Sequence, residues 1–130
     1  MCNTRFRTCL SLCGVVLLAL GGLRIGMAQH HTGTETTFVG RVVGLACYLG
    51  HGTVGDSHRE CALTCAKAGI PMAILDENTQ TLYLPLAKDH HQAANTELMP
   101  FVEMEVRVTG TVVEKDGMKA IILESLVAME

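Results

Sequence analysis

The sequence predicts a mainly β domain with two helices, and three observations carry that prediction. Five segments rich in Val, Ile, Leu and Thr are set apart by turn residues. One block between the first two of them has a helix start at Ser57 and a helix stop at Gly69-Ile70-Pro71. A second block, between the third and fourth, opens at Asp89 and closes at Pro100.

The first 28 residues read as a secretory signal. Arg5 and Arg7 form the positive region, Leu10 to Leu23 the apolar stretch, and Gly26-Met27-Ala28 the small residues of a cleavage site. The apolar run is shorter than the roughly 20 residues a membrane helix needs, and Gly14, Gly21 and Gly22 dilute it. A lipid anchor fits poorly, because Leu12 precedes Cys13 and most of the apolar run follows it. Cleavage after Ala28 leaves a polar leader over 29–36 and one domain over 37–130. The expected location is periplasmic or secreted, with no stable membrane anchor after cleavage.

Within that domain Phe38 to Leu49 is rich in valine and aromatic residues, is interrupted by Gly40 and Gly44, and reads as one long bent strand. Residues 50–55 are a glycine loop. Ser57 and Glu60 have the spacing of a capping box, so a helix is expected over 58–68. Met72 to Leu75 and Thr81 to Leu86 form a hairpin about Asp76-Glu77-Asn78. Asp89, Gln92 and Pro100 bracket a second helix over 90–99. Val102 to Glu114 and Met118 to Val127 flank Asp116-Gly117, a tight-turn signal, with Val106, Val108 and Val112 alternating against Arg107, Thr109 and Thr111. Five strands with a helix between the third and fourth follow the order of a five-stranded OB-like barrel, here with an extra helix after strand one. An open α+β sheet is the alternative.

Charge narrows the partners. Without the signal, seven basic residues face thirteen acidic ones. No nucleic acid partner is expected, because phosphate-binding surfaces need clustered positive charge. The chain has no recognisable pair of catalytic carboxylates, Ser/His/Asp arrangement or nucleotide loop, and is expected not to be an enzyme.

The most specific feature is the array Cys47, His58, Cys61 and Cys65. At about 100° per residue, His58, Cys61 and Cys65 share a helical arc of roughly 60°. Ala62, Ala66 and Ala68 flank that face and let the helix approach the sheet carrying Cys47. Three cysteines outlast signal removal, and an odd number in an oxidising compartment leaves at least one free, metal-bound or paired with another chain. Thiolate and imidazole ligands select zinc, copper or iron, and four of them would make a closed zinc site. Zinc or copper is therefore the expected cofactor, with Met72 or Met104 available to complete a copper site. The competing reading is structural: a disulfide from Cys47 to Cys61 or Cys65, with the third cysteine an apolar residue and His58 a helix-start residue. A thiol oxidoreductase centred on Cys61 is disfavoured by the C-x3-C spacing.

The remaining histidines have weaker claims. Gln29-His30-His31 at a new terminus has the histidine spacing of a square-planar copper(II) or nickel(II) site, although such tails are usually solvated. His51 is a reserve ligand, and His90 and His91 are expected in solvent.

The stretches Gly40-Arg41-Val42-Val43, Cys47 to Gly52, His58 to Pro71 and Val108 to Val113 resemble a group of small exported bacterial proteins with an OB-like fold and the C-x10-H-x2-C-x3-C array. The resemblance implies that fold and the importance of the array, and names no ligand. The function expected is soft-metal binding or a redox site, for metal handling or electron transfer. The alternative is a disulfide-fastened binding module acting on a protein or carbohydrate partner.

Overall fold

The computed structural model describes residues 33–130. The signal, its cleavage site and His30 and His31 lie outside the described residues. Five strands close into a barrel: β1 (Thr34–Gly44), β2 (Met72–Asp76), β3 (Thr81–Leu86), β4 (Glu105–Lys115) and β5 (Met118–Ala128), ordered β1-β2-β3-β5-β4 with β4 returning to β1. All pairings are antiparallel except β3 with β5. This mainly β architecture is consistent with an OB-like barrel.

Alternation along the strands sorts side chains between two apolar clusters. Val42, Met72, Ile74, Val106, Val108, Ile121 and Leu123 pack with Leu98, Val102, Ala62 and Ala66 in the main core. Val43, Ala73 and Leu75 point to the other face, where Leu45, Tyr48 and Leu82 cover them. Every residue of β2 is therefore buried, including Asp76. The aspartate is satisfied locally: Oδ1 accepts the amides of Asn78 and Thr79 at 2.9 and 3.3 Å, and Oδ2 accepts the Thr79 hydroxyl at 2.8 Å. Burial opposes its charge, but the bonds from Thr79 and Asn78 outweigh that and lower its pKa below the ordinary value.

The β4–β5 hairpin turns at Asp116 and Gly117, both at positive φ (53° and 82°), as a two-residue turn matched to strand twist requires. A bulge near Thr109 and Gly110 leaves Glu124 without a counterpart across the pair.

The helices depart from expectation. Three occur among the described residues: α1 (Leu45–His51), α2 (Arg59–Lys67) and α3 (Asn95–Leu98). The first strand stops at Gly44 and the chain turns into α1, so Cys47 sits on a helix and not at a strand end. Leu45 and Tyr48, three apart on α1, supply the lid over Val43, Ala73 and Leu75; this packing overrides the β preference of the segment. Gly52, at φ 66°, ends the helix and donates its amide to the Tyr48 carbonyl at 2.8 Å. The expected second helix over 90–99 shrinks to Asn95–Leu98 followed by a 3-10 turn at Met99–Phe101. Asp89 does accept the His91 amide, but the chain from Asp89 to Ala94 forms turns before Asn95. Asn95 then ties three segments together, accepting the Met72 amide and donating to the carbonyls of Ala66 and Ile70. Among the described residues no helix is long and apolar enough to cross a membrane.

Candidate metal centre

Two helices of opposite origin meet at one corner of the barrel. Gly44, the last residue of β1, lies under α2: a Cβ there would stand 3.3 Å from the Ala62 Cβ. Ala62 and Ala66, four apart, are the buried face of α2, at 0% and 4% exposure. Small residues on both sides bring the helix close. Cys61 and Cys65 immediately precede those alanines, so they form the neighbouring stripe. Ala68, by contrast, is exposed and takes no part in this packing.

The consequence is a three-sulfur cluster. One ligand atom from each of Cys47, Cys61 and Cys65 lies within 4.8 Å of the other two. All three thiols are free; Cys61 is exposed, while Cys47 and Cys65 are half-buried. Two thresholds decide what such spacing suits. With metal–sulfur bonds of about 2.3 Å, thiolates of a tetrahedral site stand about 3.8 Å apart. A disulfide requires about 2.05 Å. The cluster thus needs at most about 1 Å of contraction to hold a metal, and sulfur–sulfur bonding is not present. Desolvation raises the pKa of the Cys47 thiol, and the charges of Cys65 and Cys61 raise it further, with hydrogen bonding to the same two thiols adding to the effect. A cation bound between the three sulfurs would replace their thiol protons.

The connection between the helices is fixed at several points. A 3-10 turn at Asp56–His58 leads into α2, and His58 is its N-cap residue without a side-chain capping bond. The Ser57–Glu60 capping box does not form. Instead Gly55, at φ 97°, donates its amide to Oε2 of Glu103 at 2.8 Å, and the His58 amide donates to the Gly55 carbonyl at 2.9 Å. Arg59 donates to the carbonyls of Val102 and Pro100. At the far end, the amides of Gly69 and Ile70 donate to the carbonyls of Ala66 and Cys65, a Schellman closure, so the Gly69 stop forms where expected.

His58 is half-buried and stands outside the mutually close set of three cysteines. Its Nε2 is buried with no hydrogen-bond partner. Met72 is ruled out as a copper ligand, being 2% exposed and packed in the barrel core. Met104 is half-buried. His51 is exposed at the end of α1, and His90 and His91 are exposed in the turns before α3.

Glu103 was not a sequence candidate, yet it is fully buried and at φ 58°. A weak signal for it is present: an acid directly follows the apolar run Leu98 to Val102, although Glu105 two residues on makes it look like a strand-surface residue. No family model, curated protein or solved structure matches the chain.

Proposed function

We propose that this chain is an exported, non-enzymatic protein that binds a thiophilic transition metal, zinc or copper, through Cys47, Cys61 and Cys65, with His58 as the fourth donor. The observation that carries the reading is the mutual approach of three free sulfurs to within 4.8 Å. The donor set favours zinc or copper(I) over calcium or magnesium, which bind oxygen. The exposure of Cys61 supports metal handling over a sealed structural site, because an incoming ligand can reach that sulfur first. Protein purified without a tag under reducing conditions should carry, or take up, one zinc or copper ion per chain. Three thiols should become reactive on chelation. Thiol reactivity unchanged by added zinc and copper would defeat the reading, as would an intrachain disulfide in protein handled without oxidant.

A binding-module reading rests on a different observation. Leu45, Leu49, Leu82, Leu84 and Met118 border a mostly apolar groove of about 400 Å³ beside α1, with Asp116 and Lys119 at the β4–β5 turn also lining it. Leu49 and Met118 are 68% and 62% exposed. An apolar groove of this kind suits a protein side chain better than a carbohydrate. Loss of partner capture on Leu49→Glu, with metal uptake intact, would separate this role from the cysteine cluster.

A further inference from the structure

Among the described residues two buried side-chain nitrogen or oxygen atoms lack a hydrogen-bond partner: Nε2 of His58 and Oε1 of Glu103. Buried polar groups are ordinarily satisfied, and elsewhere in this barrel they are: Asp76 and Asn95 each make three side-chain bonds. Both orphans belong to one junction. Gly55 accepts the His58 amide on its carbonyl and gives its own amide to the other oxygen of Glu103. The next residue along, Arg59, donates to the carbonyl of Val102, the residue before Glu103.

The Glu103 backbone holds that carboxylate in place. Its amide donates to the Val42 carbonyl at 2.8 Å, and its carbonyl accepts Arg41 Nη1 at 3.0 Å. With φ at 58° and complete burial, the residue occupies a backbone conformation that only its surroundings enforce. A buried acid is an expensive way to tie down one loop amide, since a carbonyl oxygen would serve as well.

The two orphans are chemically complementary, one a ring nitrogen able to carry a proton and the other an oxygen able to accept it. We infer that Glu103 is the positioning residue of His58: its Oε1 takes the hydrogen bond of Nε2–H, by a turn of the imidazole or through one buried water. Such a bond fixes the tautomer and leaves Nδ1 as the nitrogen with a free lone pair. Metal-binding histidines typically hold their second nitrogen this way, against a carboxylate or carbonyl. The coordination half of the inference rests on the metal reading of the cysteine cluster; the tautomer half stands without it.

Long-range proton–nitrogen correlation spectra of the metal-free wild-type protein test the tautomer half directly. Nε2–H at His58 is expected, and Nδ1–H with a bare Nε2 would overturn the inference. Glu103→Gln tests the consequence: zinc affinity should fall about 10- to 100-fold with one ion still bound, and the cobalt(II) ligand-field bands should shift. A folded Glu103→Gln protein with unchanged zinc affinity and unchanged cobalt spectrum would also overturn it. Should that variant fail to fold, the wild-type tautomer still decides. A wild-type protein that binds no zinc or copper but shows Nε2–H at His58 sinks the metal reading and leaves the pair intact.

Discussion

The β4–β5 hairpin and the α1–α2 corner occupy one small barrel and obey different rules. The hairpin is held by what each residue does locally: alternating valines, a turn whose two residues both take positive φ, and a long antiparallel register. The corner is held by what distant residues do to it. Glu103 and Val102 hold the loop and the start of α2, Asn95 holds its end, and Gly44 admits it to the barrel. The main core is spread over β1, β2, β4 and β5, whereas the three sulfurs gather at the corner, so substitutions in the barrel and at the corner should separate stability from metal binding.

The largest effect expected is on the barrel side. Ile74→Ala removes a fully buried side chain shared by β2 and the main core, and should cost about 3 kcal/mol in denaturant unfolding. Metal uptake per folded molecule should stay the same. A parallel loss of metal affinity would mean that the corner is not independent of the core.

The converse substitution is Cys47→Ser. Metal affinity should fall at least about 100-fold, beyond what outer-shell partners usually contribute. The apo barrel should keep its circular dichroism spectrum, because Cys47 belongs to neither apolar cluster. Chelation of the wild-type protein should likewise lower the melting temperature without unfolding the chain, unlike a zinc finger.

Acidity should act on the corner from the neutral side. The Cys47 thiol has a raised pKa, from desolvation first and then from Cys65 and Cys61, so protons compete with the metal at neutral pH. Affinity should rise with pH by about tenfold per unit for each thiol still protonated. Competition titrations between pH 6 and 8 would show it, and a flat profile would argue against thiolate coordination. The barrel should respond only at low pH. Asp76 has a depressed pKa, so its stabilising bonds are in force above the ordinary aspartate range, about pH 4, and fade as pH falls through its lowered value.

The smallest effect belongs to the hairpin turn. Gly117→Ala places a Cβ at φ 82° and should cost about 1 kcal/mol by thermal melting, with metal affinity untouched.

Legibility follows the same division. The two hairpins, the stop at Gly69 and the shared face of Cys61 and Cys65 were readable because each depends on residues close in sequence. The strand-to-helix switch at Gly44 was not. Leu45 to Leu49 has the composition of a strand and becomes helical because Leu45 and Tyr48 cover the outer apolar cluster. The Ser57–Glu60 signal pointed to the right helix with the wrong cap, since Glu103 and the 3-10 turn organise its entry. Asn95 and Glu103 carry little local signal because the partners of their side chains are 23 to 48 residues away.

The sequence by itself determined the five strands and their turns, and the shared helical face of Cys61 and Cys65, through periodicity, turn residues and side-chain type. Only the tertiary structure decided that Cys47 meets Cys61 and Cys65, that Met72 is core, and that a buried acid stands at the junction with His58. Local pattern constrains backbone conformation over a few residues. Which side chains converge is settled by barrel closure and by the burial of two faces of β2, and neither is a local property.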